Sequence, residues 1–117
     1  MELVRWESQP KEQLAAGVAR QVVWGERATL ARFEFARGMH AAPHQHPAEQ
    51  YTCVERGALR IATAGREFTV RAGEMLLIPG STEHEVWALE DSVVLVFFAP
   101  ARDDWKAQGG SHYLTGK

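Results

Sequence analysis

The chain is poor in most features that assign a protein quickly. Cys53 is its single cysteine, so no intrachain disulfide can form and a reducing, cytoplasmic setting is the simplest expectation. No apolar run approaches the ~20 residues of a membrane-spanning helix. The first twenty residues carry Glu2, Arg5, Glu7, Lys11, Glu12 and Arg20, unlike a signal segment. Neither charge dominates: 13 Lys and Arg against 15 Asp and Glu leave a net charge of −2. The basic residues form no stripe, which excludes nucleic acid and membrane surfaces as expected partners. Helix signals are equally scarce. Residues 10–20 could form one short turn before Gly17, and residues 101–107 another after Pro100.

What remains reads as short strands between close turns. Expected strands lie at 22–24, 29–36, 50–56, 59–63, 67–71, 75–78, 84–89 and 93–98, with Ala64-Gly65 as a hairpin turn. The last, Ser-Val-Val-Leu-Val-Phe-Phe, is apolar on both faces and should be covered twice, by the core or by a partner subunit. So many strands in one domain of 117 residues point to an all-β sandwich or barrel, with a core at about 28–100 and a loose tail at 108–117. Cys53 falls out of phase with Gln50 and reads as a small buried hydrophobe. Trp6, Trp24 and Trp105 are candidate interface anchors.

Chemistry concentrates in His44-Gln45-His46, Gln50 and the distant His84. Side chains two apart on a strand share a face, so an unbroken strand would aim His44, His46 and Gln50 together. Convergent imidazole nitrogens and an amide oxygen suit a first-row divalent metal. The spacing is regular: Gly38, five residues, His44-x-His46, three residues, Gln50, six residues, Gly57. A second block runs Gly73, five residues, Pro79-x-Ser81, two residues, His84.

These blocks closely resemble the two motifs of the cupin superfamily, small double-stranded β-helix (jelly-roll) proteins, over roughly residues 28–100. The resemblance places metal ligands on His44, His46, Gln50 and His84. Gln50 stands where the family usually has an acid, Ser81 where it has a glycine, and Ala88 where it has an asparagine. A neutral amide leaves the ion's charge uncompensated, which makes it more electrophilic and favours anionic ligands.

His46-Pro-Ala-Glu-Gln50 is similar to cupins related to the pectin-degradation protein, which convert unsaturated uronates to a linear keto form. The run from Phe98 to Trp105 resembles that group as well, and implies Phe98 and Arg102 at the substrate, with Arg102 clamping a carboxylate. Val96 stands where that group has an acid for proton transfer. The resemblance implies Lewis-acid isomerisation or ketonisation of a sugar acid, with Zn, Ni, Mn, Fe or Co as cofactor and a homodimeric assembly. A three-His non-haem iron dioxygenase and a non-enzymatic binding or sensor module are the alternatives. His40 could donate behind the ligands or face solvent, and His112 falls in the tail.

Overall fold

A computed structural model describes residues 1–108 and 114–115. After a 3-10 turn at Trp6–Ser8 the chain runs through β1 (Glu12–Ala15), β2 (Val18–Trp24), β3 (Thr29–Phe35), β4 (His40–His44) and β5 (Glu49–Arg56). Then follow β6 (Ala58–Thr63), β7 (Arg66–Arg71), β8 (Met75–Ile78), β9 (His84–Ala88), β10 (Ser92–Ala99), α1 (Asp103–Gln108) and the two-residue β11 (Leu114–Thr115). The strands form two antiparallel sheets, in the orders β1-β2-β3-β10-β5-β8 and β11-β4-β9-β6-β7. The all-β jelly-roll expected from the sequence is the fold, built as two facing sheets and not as a closed barrel.

Period-two burial decides which side chains meet between the sheets. On β3 Ala31, Phe33 and Phe35 are buried and alternate with half-buried Arg32 and Glu34. Their register partners Val96 and Val94 on β10, and Thr52 and Val54 on β5, continue the inward face. Leu59, Ile61, Val86 and Ala88 face them from the second sheet. The core therefore lies between the layers, and each fully buried aliphatic side chain there is worth roughly 1.5–3 kcal/mol.

Several expectations change. The segment 10–20 is not helical: β1 and β2 form a hairpin through Gly17, whose φ is +74°. Pairing of β2 with β3 along its whole length overrides the local helix-forming residues. The strand β4 was not anticipated, because Pro43 interrupts its pattern. The core covers β10 on one face only; Val93 and Leu95 outside are half-buried and Phe97 is 39% exposed. Cys53 is half-buried on that same outer side. Trp105 is no surface anchor, since α1 turns it inward onto Phe33 and Phe98 and leaves it 2% exposed. Trp6 is half-buried and Trp24 more open. The expected tail falls mostly outside the described residues, His112 with it, although Leu114–Thr115 pairs with β4.

Two glycines separate conformational need from steric need. Gly65 completes the β6–β7 turn with Ala64, both at positive φ, and its missing Cβ would meet nothing within 4 Å. Gly57, at φ +90°, lies against the Ser92 side chain and the Asp91 carbonyl, where a Cβ would collide with both. Gly65→Ala should cost about 1–2 kcal/mol, the left-handed penalty alone. Gly57→Ala should cost more, about 3 kcal/mol or above, because backbone must also move. Urea unfolding of the two variants compares these values directly, and equal losses would contradict the packing argument.

Candidate metal centre

Three histidines meet at the end of the sandwich where β4 hands the chain to β5. Strict alternation from inward-facing Ala41 would turn His44 outward. The register opposite β9 slips between Ala41, paired with Val86, and His44, paired with His84. That irregularity sets two residues of β4, Ala42 and Pro43, against Glu85 alone on β9, and so brings His44 back to the inner face. Pro43, which has no N–H to give a ladder, occupies the bulged stretch. His84 opens β9, whose alternation points it inward, and it is 1% exposed.

The unbroken strand expected through His44, His46 and Gln50 does not exist. Strand β4 ends at His44 and β5 begins at Glu49, so His46 sits in the connecting turn. The turn after β8 holds it there: Ser81 N–H donates to the His46 carbonyl at 2.7 Å. Ser81 has φ +57°, a conformation that glycine adopts without cost. Gly80 is required beside it, since a Cβ would strike the Pro47 carbonyl. Gln50 arrives separately, as the first inward residue of β5, opposite Phe98 of β10.

The candidate ligand atoms of His44, His46 and His84 all lie within 4.8 Å of one another. The three rings are held alike. Nδ1 of His44 donates to the Ala42 carbonyl at 2.7 Å, that of His46 to Ala48 at 2.9 Å, and that of His84 to Thr82 at 2.8 Å. A carbonyl only accepts, so each Nδ1 carries the proton and each Nε2 of the neutral ring presents a lone pair. His84 Nε2 is buried without a hydrogen-bond partner among the described residues. Gln50 Nε2 donates to Thr52 Oγ1 at 3.0 Å, which turns Oε1 to within 2.9 Å of His46 Nε2. Facing acceptors repel unless a cation or a proton lies between them. The donor set therefore fits a divalent metal.

Electrostatics favour the same state. Burial lowers the His44 pKa to about 4, and the neighbouring His84, His46 and Arg102 add to the shift. His46 and His84 are also lowered, by burial first and then by Arg102. Neutral imidazoles are the form a metal needs.

Arg102 is 5% exposed, and its guanidinium lies 4.8 Å from the Phe98 ring centre. Phe98 in turn meets His46 edge-on at 5.5 Å between centroids. The guanidinium is not free to swing: Nε and Nη2 bind Asp104 at 3.0 and 2.9 Å, while Nη1 is buried without a partner among the described residues. Asp104 was not anticipated as its holder; two acidic residues at the start of a helix were the available signal. His40 lies elsewhere, 2.6 Å from Glu85 and stacked on Trp87. Below the histidines a narrow cavity of about 50 Å³ is walled by Phe33, Leu59, Val94, Val96 and Phe98, and among the described residues no carboxylate lines it.

A pH dependence follows for the metal-free protein. The unfolded chain binds a proton at His44 near pH 6.5, whereas the fold delays this to about 4. Between these values the unfolded state holds more protons, so stability rises with pH. Metal-free protein should keep its full stability above about pH 6.5 and lose it progressively as pH falls towards 4. Thermal unfolding in chelator across this range should show the loss, with a shallower slope for His44→Gln. A flat profile for both would contradict the buried neutral cluster.

The cupin domain family matches residues 31–99 of the chain. Among solved structures, KdgF from Halomonas sp. is 29% identical, with a TM-score of 0.78 over 84% of this chain and 94% of that one. An RmlC-like cupin from Shewanella frigidimarina superposes with a TM-score of 0.84 at 21% identity, covering 90% of this chain and 96% of its own. Oxalate decarboxylase of Bacillus subtilis, a protein with Mn(II) centres, matches at 19% identity and TM-score 0.71 over 81% of this chain and 28% of that one. None of the curated protein sequences matches the chain significantly. The two motifs, the facing sheets and the three-His cluster support a divalent metal of undetermined identity in a chain that belongs to the cupin domain family.

Proposed function

We propose that this chain is a metal-dependent enzyme acting on a small organic acid, with isomerisation or ketonisation of a sugar acid such as an unsaturated uronate as its reaction. One observation carries the reading: a buried Arg102, held by Asp104 and with Nη1 unpaired among the described residues, lies against Phe98, which in turn meets His46. The likeness to KdgF and the run from Phe98 to Trp105 support the same substrate class.

His44, His46, His84 and Gln50 would hold the ion, drawn from Zn, Ni, Mn, Fe or Co. When bound it supplies Lewis acidity that stabilises developing negative charge on substrate oxygens. Arg102 orients the carboxylate, and its bond to Asp104 fixes the fork before substrate arrives. Phe98, 3% exposed, shields His46 and Gln50 from water on its side. Val96 lies on the apolar wall and moves no proton.

A three-His iron dioxygenase is the second reading. The narrow, mostly apolar cavity favours it, since oxygen needs no polar pocket, and His44, His46 and His84 supply the three imidazoles it would use.

One experiment separates them. Metal-loaded protein is given an unsaturated uronate while substrate absorbance and dissolved oxygen are both followed. The isomerase reading predicts metal-dependent loss of the enol absorbance without oxygen uptake. Arg102→Gln should lower kcat/KM by roughly 10- to 150-fold, the equivalent of a charge-assisted hydrogen bond of about 1.5–3 kcal/mol. Iron-dependent oxygen uptake with no uronate loss would replace it with the dioxygenase.

A further inference from the structure

A second arginine is buried near the first, and the site described so far makes no use of it. Arg20 lies on β2 opposite Phe33, whose side chain faces the core. It is 2% exposed, an unusual place for a guanidinium. Its Nε donates to Glu12 at 3.1 Å, yet Nη1 is buried and unpaired among the described residues. The Arg20 guanidinium rests 4.2 Å from the Trp105 ring centre and that of Arg102 rests 4.6 Å from the same centre. The two guanidinium carbons are therefore no more than about 9 Å apart.

Trp105 Nε1 is itself buried and unpaired among the described residues. Three unsatisfied donor atoms thus gather round one indole: Arg20 Nη1, Arg102 Nη1 and Trp105 Nε1. Each is a desolvated donor that folding leaves without an acceptor among these residues. Glu12 and Asp104, whose side chains are 47% and 52% exposed, pair with other nitrogens of these arginines. The unmet demand is for oxygen acceptors bearing negative charge. A carboxylate within reach of these nitrogens would accept charge-assisted hydrogen bonds of about 2.7–2.9 Å.

We propose that Arg20, Arg102 and the Trp105 indole form a carboxylate-binding subsite next to Phe98, so that two guanidiniums and not one select the acid. This deepens the proposed function and rests on its reading of an anionic ligand. The substrate class is then an organic acid whose carboxylate docks on the arginine pair, leaving its hydroxyl or keto oxygens for the histidine side.

The test uses the indole N–H resonances of uniformly ¹⁵N-labelled, metal-free protein. Sodium acetate is titrated against sodium chloride at constant ionic strength, with Trp105→Phe identifying the Trp105 peak. The proposal predicts a saturable movement of that peak in the wild type, with half-saturation raised at least about fivefold in Arg20→Gln. His84→Ala, which removes a candidate metal ligand, should respond as the wild type does. That result would support the subsite even if no uronate is turned over. No saturable movement in the wild type, or the same half-saturation in Arg20→Gln, would overturn it. Should Arg20→Gln lose the dispersed spectrum of a folded chain, Arg20→Lys keeps the charge without the fork. It should still weaken acetate, and unchanged binding there would equally overturn the proposal.

Discussion

Each of three imidazoles gives its Nδ1 proton to a main-chain carbonyl two residues away, and the candidate site depends on this repeated bond. It selects the tautomer, fixes the ring plane and leaves Nε2 as the atom that points into the cluster. Because the acceptors are backbone atoms of the ligands' own segments, no distant side chain is needed to orient the rings. What the fold must do is bring three short segments to one place. Burial then keeps the rings neutral, with Arg102 adding its positive charge to the effect. Geometry and protonation state thus have a common origin in the packing of two strand ends against a turn.

That packing is assembled from local departures from regular strand. A slip in the β4–β9 register redirects His44, and a turn carries His46. The turn after β8 clamps the His46 loop through Ser81, a non-glycine residue with φ +57°. A left-handed backbone at such a residue costs about 1–2 kcal/mol. The hydrogen bond to the His46 carbonyl offsets part of that cost. Regular sheet supplies the rest of the molecule, and the irregular points are where candidate chemistry collects.

The sequence showed the site more clearly than the route to it. Two glycine-framed blocks identified His44, His46, Gln50 and His84, and the structure brings all four together. The reason first given, shared strand phase, does not apply to His46. A bulge and a turn happen to produce the convergence that an unbroken strand would have produced. Period-two patterning located β3, where Phe33 and Phe35 alternate with Arg32 and Glu34, while β10 was legible as a short, unbroken apolar run. It failed for β1 and β4. There the local residues favour helix or include proline, and only pairing with β2 and β9 settles the conformation. Trp105 and Arg20 were illegible for a related reason: their burial depends on α1 folding back across the first sheet, a contact with no local signature.

The central claim is that this cluster holds a divalent ion, and elemental analysis of protein purified without a metal-affinity tag tests it most directly. The comparison is with a His44→Ala/His46→Ala variant prepared identically and shown to be folded. The account predicts near-stoichiometric transition metal in the wild type and essentially none in the variant. No metal in either protein, even after dialysis against Zn, Ni, Mn, Fe and Co in turn, would contradict it.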